Sequence, residues 1–257
     1  MDKVFIYWDD SNMVHPRRKQ GSRIAAMSLV LALALAVSSA QAQPNPAFEA
    51  YKQGDYATAL RELQPSAEQG NAATQFLLGH MYETGGKGVS QNDGQAVFWY
   101  RKAAEQGFAL AQYSLGVMYE AGRGVLQDYG QAATWFQKAA KQGESQAQAI
   151  LGLMYDTGRG VPEDDGQAVV WYGKAAEQGN PGAQTLLGIM YANGEGVPQD
   201  DVQGYAWLNL AAAQGHDEAK AARTEIRQRM TREQIAEGQK LSRELAAQIE
   251  SQREATP

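Results

Sequence analysis

Apolar residues recur along the chain in two alternating helical patterns. In the first pattern, Leu78 and Met81 lie three positions apart and Tyr82 follows directly. Residues at positions i and i+3 share one face of a helix, so this pattern predicts an amphipathic helix over residues 71–84. A second pattern, rich in alanine and aromatic residues, predicts another helix over residues 94–106. Glycines separate the two predicted helices.

This pair of predicted helices repeats along the chain. Its clearest marker is tryptophan, because four of the five tryptophans are spaced 36 residues apart, at Trp99, Trp135, Trp171 and Trp207. A fixed period of this size indicates a repeat protein in which each unit stacks on the next. We interpret these tryptophans as structural anchors that face a tyrosine or methionine of the first helix, and not as partner contacts.

The repeats divide the chain into seven predicted segments. An N-terminal extension with a signal peptide is followed by a partial repeat, four full repeats, and capping helices with a tail. The predicted boundaries are 1–42, 43–70, 71–107, 108–143, 144–179, 180–215 and 216–257. In the last segment, Thr231 and Gln234 match the start of a helix. The apolar residues after this start form one stripe, at Leu241, Leu245 and Ile249.

Each predicted second helix starts with a capping residue that is followed by glutamine three positions later. The capping residues are Asn92, Asp128, Asp164 and Asp200. Such a side chain accepts a hydrogen bond from a free backbone N–H, and the glutamine is expected to return one to the N–H of the cap. The carboxylates at these positions are therefore interpreted as helix caps and not as metal ligands.

Two sets of glycines recur with the same period. One set lies inside the first helices, at Gly79, Gly116, Gly152 and Gly188. A glycine inside a helix costs about 1 kcal/mol relative to alanine, so we expect it to permit the close approach of a neighbouring helix. The other set ends the second helices, at Gly107, Gly143, Gly179 and Gly215, where a left-handed residue satisfies the last carbonyls.

These residues resemble a known family. In their most common form the copies read L-G-x-M-Y, then G-x-G-V, then W-Y-x-K-A-A-E-Q-G. This pattern resembles the Sel1-like repeat, a relative of the tetratricopeptide repeat, over residues 71–215. The resemblance implies an all-α fold, a right-handed superhelical α/α solenoid of Sel1-like (TPR-like) helix pairs with C-terminal capping helices. It also implies a protein–protein adaptor in which the first helices line a concave groove.

The N-terminal residues have the pattern of a secretory signal peptide. Four basic residues precede an apolar run at 24–37, and the small residues Ala40 and Ala42 follow it. The run is too short to span a bilayer comfortably, and small residues at these two positions suit a signal peptidase. We expect cleavage after Ala42 and a periplasmic or secreted product. Residues 1–13 are interpreted as an upstream start, with translation beginning at or near Met13.

Charge and cysteine content narrow the partner classes. The chain has a net charge of −6, which becomes −8 when residues 1–42 are removed. An acidic surface repels phosphate backbones, so we expect a protein or peptide partner and no nucleic acid. The absence of cysteine excludes disulfides and thiolate metal sites. We expect no stable membrane span after signal cleavage, and the sequence leaves the oligomeric state open.

The sequence predicts no catalytic, cofactor-binding or metal-binding residues. His80 and His216 have no repeating partner and are expected to be solvated, and the chain lacks the S-x-x-K pair of serine acylation. The first hypothesis is therefore a non-enzymatic protein–protein interaction scaffold that is exported and binds its partner in the concave groove. A scaffold for envelope or exopolysaccharide assembly is an alternative, and a β-lactam-interacting hydrolase is a less favoured one.

A stripe on the first helices varies between the copies and is the predicted partner-binding surface. Its residues are Phe76, His80 and Glu83; Tyr113, Val117 and Glu120; Ala149, Leu153 and Asp156; and Thr185, Ile189 and Ala192. Several of these residues are large and apolar, and an exposed apolar row marks an interaction surface. The alternative is that the apolar members belong to packing between repeats that tolerates variation. Both interpretations are open from the sequence.

Overall fold

The computed structural model describes residues 46–255, which form twelve α-helices and no strand. The predicted signal peptide lies outside these residues. The helices are α1 (Pro46–Lys52), α2 (Tyr56–Glu68), α3 (Ala72–Thr84), α4 (Asp93–Glu105), α5 (Ala109–Ala121), α6 (Tyr129–Lys141), α7 (Ser145–Thr157), α8 (Asp165–Glu177), α9 (Pro181–Asn193), α10 (Asp201–Ala213), α11 (Asp217–Arg227) and α12 (Arg232–Ala255).

The described helices belong to two compact units. The first unit contains α1 to α4, the first residues of α5 and residues 123–125, and the second contains residues 112–122 and the chain from residue 126 onward. Within each unit, a helix packs mainly on the helices that precede and follow it in sequence. This consecutive packing of helix pairs confirms the predicted all-α repeat solenoid.

The helix boundaries follow the capping residues. Helix α3 begins at Ala72 because Asn71 is its N-cap, whose Oδ1 accepts from the N–H of Thr74 at 2.9 Å. In α4, α6, α8 and α10, the side chain of the cap accepts from the backbone N–H of the glutamine three residues later. The interpretation of these Asn and Asp residues as helix caps is confirmed.

The other half of the predicted capping arrangement is wrong. The N–H of Asn92 donates to the carbonyl of Tyr82 at 2.8 Å, not to a glutamine side chain. The same bond joins Asp200 to Tyr191 at 2.8 Å, and the two repeats between them have its equivalents. The cap therefore joins the start of each second helix to the end of the first helix in the same repeat, and the glutamine side chain is not needed there.

The helical glycines allow the two helices of a repeat to approach closely. A Cβ atom on Gly79 would lie 2.5 Å from Cδ1 of Tyr100, and one on Gly152 would lie 2.6 Å from Cδ1 of Tyr172. No side chain fits in that space, which confirms the predicted reason for glycine. The glycines that end the second helices also behave as predicted, with φ between 81° and 93°.

The periodic tryptophans lie in the packing of the repeats. Trp99, Trp171 and Trp207 are 6–8% exposed, and each shares a hydrophobic cluster with a methionine of the first helix in its own repeat. Trp135 is half-buried, with Nζ of Lys138 at 3.9 Å from its ring centroid. Their interpretation as structural anchors agrees with these contacts.

A buried glutamine in the first helices adds a polar link that sequence reasoning missed. Nε2 of Gln75 donates to the carbonyl of Ala67 at 2.9 Å, and its Oε1 accepts from Gln106 at 2.7 Å. Gln148 and Gln184 repeat both bonds in the second unit. A buried amide costs little when both of its ends are paired, so these glutamines hold successive helices in register.

Candidate interaction surface

The predicted partner-binding stripe on the first helices is not exposed. Each of its twelve residues is buried or half-buried. Phe76 is 5% exposed and packs between the rings of Tyr100 and Phe108, with centroid distances of 5.6 and 5.4 Å. Tyr113 packs on Phe136 at 5.9 Å. The other apolar members lie in hydrophobic clusters between helices, at Val117, Ala149, Leu153, Ile189 and Ala192.

The acidic members of this stripe are bound to other repeat residues. Glu83 accepts from the hydroxyl of Tyr100 at 2.6 Å and from Nη1 of Arg123 at 3.0 Å. Asp156 accepts from the hydroxyl of Tyr172 at 3.2 Å. Burial, with the nearby carboxylate of Asp156, raises the pKa of Tyr172 well above its usual value, so the phenol stays protonated and donates. Glu120 forms an ion pair with Arg159 at 3.5 Å.

The two histidines of the described chain are also engaged in packing. His80 is half-buried and bonds through Nδ1 to the hydroxyl of Tyr51 at 2.9 Å. His216 is half-buried and bonds to Thr185 at 3.1 Å. The expectation that these histidines are solvated therefore holds only in part, because each is half-buried and has a hydrogen-bond partner.

These contacts decide between the two interpretations of how the stripe is placed. The expected exposure is not found, and the contacts favour packing between repeats that tolerates variation. Partner binding through the stripe stays a prediction, and it requires a partner that reaches side chains which the helices cover in the free chain.

Exposed apolar side chains lie elsewhere, on the second helices and in one loop. Among the described residues, the large hydrophobic ones that are exposed are Phe98 and Val170, both at 47%, and Leu126 at 90%. Phe98 and Val170 occupy the same repeat position, one residue before the tryptophan. That position also varies between copies, as Phe98, Thr134, Val170 and Ala206. Sequence reasoning missed this surface because it compared only the first helices.

The outer face of α4, which we call the α4 face, is the most developed of these surfaces. It consists of Gly94, Val97, Phe98, Arg101 and Lys102, which line a shallow depression together with Glu105, Gly124 and Val125. The ring of Phe98 meets the ring of Trp99 edge-on at 5.0 Å, and Nζ of Lys102 lies 4.7 Å from the Phe98 centroid. The face therefore presents an aromatic ring with basic side chains and one carboxylate, Glu105, beside it.

The equivalent outer face of α10 is covered by the last helix. This α10 face consists of Val202, Tyr205, Ala206, Asn209 and Leu210, one residue for each of the five in α4. Helix α12 packs along α10 and reaches α8. Ala206, which corresponds to Phe98, is 0% exposed.

Small and apolar residues of α12 make the contact with α10. A Cβ atom on Gly238 would lie 2.8 Å from the ring of Tyr205, so glycine allows the helices to approach there. Nδ2 of Asn209 donates to Oγ of Ser242 at 3.0 Å. Farther along α12, Leu245 and Ile249 join the hydrophobic cluster that contains Trp207 and Leu210. The predicted apolar stripe of the last helix therefore packs on the body of the repeats.

Residues 46–255 contain no group of three or more His, Cys, Asp or Glu side chains that could hold a metal ion. In the same range, no helix has the combination of length and apolar character that crossing a bilayer requires.

The repeats match a known family, and the fold matches solved structures. The Sel1 repeat family matches residues 72–108, 109–144, 145–180 and 181–216. The chain is similar to a protective antigen present in uropathogenic Escherichia coli strains that displays an SLR fold, with 34% identity and a TM-score of 0.69 over 93% of this chain and 49% of that one. It is also similar to a Sel1 repeat protein from Oxalobacter formigenes, with 35% identity and a TM-score of 0.66 over 70% and 75% of the two chains.

The chain covers about half of the length of the Escherichia coli protein. A comparison with curated proteins gives no match.

Proposed function

The chain belongs to the Sel1 repeat family, and we propose that it is a non-enzymatic protein-interaction scaffold that acts outside the cytoplasm. The observation that carries the proposal is that some positions of the repeat are constant between copies while an outer position varies. The glycines, caps and buried glutamines that hold the helices together are constant between copies. The position before each tryptophan is not constant, and it is exposed in the first three full repeats, which therefore present different surfaces on one framework. A constant framework with varied exposed positions suits the recognition of a protein or peptide.

The exposed second-helix faces are the partner-binding surface that we favour. Their apolar side chains are accessible in the free chain, whereas those of the first-helix stripe are covered. An exposed aromatic residue beside an arginine, as on the α4 face, belongs to the residue types that are enriched at protein interfaces. Binding in a groove lined by the first helices remains the competing prediction.

Site-specific photocrosslinking tests the scaffold proposal. A photoreactive phenylalanine analogue is placed at position 98 or 170, and the chain is irradiated in its native compartment. We expect both positions to crosslink a discrete protein that mass spectrometry identifies. Lys141, which is exposed at the end of α6, is the matched control position. Equal crosslinking of the same proteins from all three positions would show that the apolar faces have no binding role.

Export is the second part of the proposal. It is supported by the basic cluster and the apolar run that precede Ala42. A structural relative that is a protective antigen adds support, because protection requires access by the immune system. Mass spectrometry of the chain from its native cells should find Gln43 as the N-terminal residue. A chain that retains residues 24–37 would contradict export by this signal.

The two alternatives make different predictions. A scaffold for envelope or exopolysaccharide assembly predicts that the crosslinked proteins are envelope components, and this would refine the proposal. A β-lactam-interacting hydrolase predicts turnover of nitrocefin by the purified chain. We expect turnover no faster than in buffer, and a clearly higher rate would contradict the non-enzymatic assignment.

A further inference from the structure

An arginine in the loop between the two helices of a repeat binds the preceding repeat. Arg123 donates through Nη2 to Oδ1 of Asp93 at 2.8 Å and through Nη1 to Oε1 of Glu83 at 3.0 Å. One repeat later, the guanidinium of Arg159 lies 4.4 Å from the ring centroid of Tyr129, which occupies the position of Asp93. The first residue of a second helix is therefore a docking position for a guanidinium.

The last full repeat is bound in the same way, although by a different segment. Asp201 is the first residue of α10, and Arg229 lies between α11 and α12. Arg229 donates from Nε to Oδ2 of Asp201 at 2.9 Å and from Nη2 to Oδ1 at 2.7 Å. Such a fork is among the strong forms of arginine–carboxylate contact. Three of the four full repeats thus hold an arginine against the first residue of the second helix.

The third full repeat has the same acceptor, but the chain supplies no arginine to it. Asp165 is the first residue of α8, and the loop residue one period after Arg159 is Glu195. Glu195 is exposed, and its Oε1 accepts from Nδ2 of Asn193 at 3.4 Å. Within residues 46–255, the ion pairs of Asp93 and Asp201 have no counterpart at Asp165.

The backbone places Glu195 where an arginine would reach Asp165. A Cβ atom on Gly196 would lie 2.4 Å from the carbonyl oxygen of Asp165, and the corresponding distance between Gly124 and Asp93 is 2.3 Å. The two loops therefore lie on their second helices in the same way. The difference between the two sites is in the side chain of the loop and not in its path.

The second carboxylate of the arginine site is also retained. Asp156 takes the position of Glu83 and accepts from the hydroxyl of Tyr172, as Glu83 accepts from Tyr100. Arg123 reaches its two carboxylates through different nitrogen atoms, so this pair of acceptors suits the fork of a guanidinium. No group of three or more such ligands in residues 46–255 is arranged to hold a metal ion, which leaves a guanidinium as the cation that fits.

We infer that Asp165, assisted by Asp156, binds an arginine side chain of a partner protein in the place where the other repeats bind an arginine of this chain. Glu195 lies beside the site and adds a further negative charge, which favours a cationic partner. This inference rests on the proposed scaffold function and assigns to it a site apart from the exposed apolar side chains. Arginine is enriched at protein interfaces, where its planar fork gives orientation as well as affinity.

The first test uses a defined probe, the peptide acetyl-Gly-Arg-Gly-amide. It is titrated into the full chain and followed through the backbone amide NMR signals of Asp165 and Gly166. We expect saturable shifts that the neutral citrulline analogue does not cause. The signals of Asp93 and Asp201 are the matched internal control, because these carboxylates already bind an arginine and should shift little. Asp165→Asn should weaken binding about tenfold, the effect of losing a charge-assisted hydrogen bond.

The second test is Glu195→Arg, which supplies the missing arginine from the chain itself. The new side chain should bind Asp165, raise the unfolding temperature slightly and weaken binding of the peptide about tenfold or more. Glu195→Gln removes the charge without supplying a guanidinium, and as the matched control it should retain most of the binding. In the native compartment, a photoreactive residue at the exposed position 198 of the same loop should capture a protein with a yield that E195R lowers about tenfold.

Several results would overturn the inference. These are equal shifts with the citrulline peptide, equal shifts at Asp93 and Asp201, or peptide binding that E195R leaves unchanged. Self-association of the full chain that E195R abolishes would also overturn it, because the arginine would then come from a second copy. If the peptide fails at Asp165 while positions 98 and 170 still crosslink a partner protein, the scaffold proposal stands and Asp165 is not part of its surface.

Discussion

The α10 face and the α4 face are built on the same repeat positions, yet one lies under a helix and the other faces solvent. Ala206 is 0% exposed on the first, and Phe98 is 47% exposed on the second. Each of the two helices begins after a capping Asn or Asp, contains a periodic tryptophan and is followed by a positive-φ glycine, so these framework positions do not cause the difference. It arises from the presence of α12 and from side chains that the repeat does not fix. In this fold, constant positions make the stack and variable positions decide what covers its outer face.

The largest expected effect tests whether the first-helix stripe belongs to the framework. Phe76→Ala should lower the free energy of unfolding by about 3–5 kcal/mol, because it removes a buried ring from between Tyr100 and Phe108. Chemical denaturation measures the loss, and crosslinking from position 98 should persist in the folded fraction. A loss of about 0.5 kcal/mol or less would be that of an ordinary exposed position and would contradict the packing of Phe76. If Phe76→Ala abolished partner binding with only such a small loss of stability, the stripe would be the binding surface.

A second variant tests whether apolar contacts hold α12 on the α10 face. Ile249→Asp should cost about 2–4 kcal/mol, because it places a carboxylate in the cluster around Trp207 and Leu210. Hydrogen exchange should become faster in α10 as α12 detaches. Ala247→Asp, at an exposed position of the same helix, is the control and should have little effect. Similar results for the two variants would mean that α12 does not hold its place through this apolar contact.

Exchanging the two compared residues should have opposite consequences. Ala206→Phe should cost about 1–3 kcal/mol, because a ring is forced beneath α12 where the alanine is fully buried. Phe98→Ala should change stability by about 0.5 kcal/mol or less, since half of the ring is in solvent. Thermal unfolding of both variants gives the comparison. A greater loss for Phe98→Ala would show that the α4 face is structural.

The smallest expected effect concerns the end of α12. Arg253→Ala should cost about 0.5 kcal/mol, because it removes one exposed hydrogen bond to the carbonyl of Gln178. Local hydrogen exchange at the C-terminal turn of α12 is the suitable measurement, with Gln248→Ala as the exposed control. Unchanged exchange in R253A would show that Arg253 does not anchor this end.

Sequence reasoning could predict the framework because its signals are local and repeated. Asn92 and its equivalents precede the second helix in every full copy. Gly79 and its equivalents lie at the same place in every full first helix. The buried Gln75 recurs as regularly and could have been found in the same way. Its role depends on a carbonyl of the preceding helix, and periodicity alone does not name that partner.

The interaction surface could not be predicted in this way, because variation does not distinguish a packed position from an exposed one. Phe76 and Phe98 are both aromatic residues at positions that vary between copies. Only the tertiary contacts of Phe76 with Tyr100 and Phe108 separate them. The path of α12 could not be predicted either. The apolar stripe of Leu241, Leu245 and Ile249 predicts burial, but it does not indicate which surface the helix covers.

Crosslinking from position 98 in the native compartment, with position 141 as the control, tests the central claim most directly. The account predicts that position 98 captures a discrete protein that position 141 does not capture. Capture of the same proteins at equal yield from the two positions would contradict the assignment of the α4 face as a binding surface.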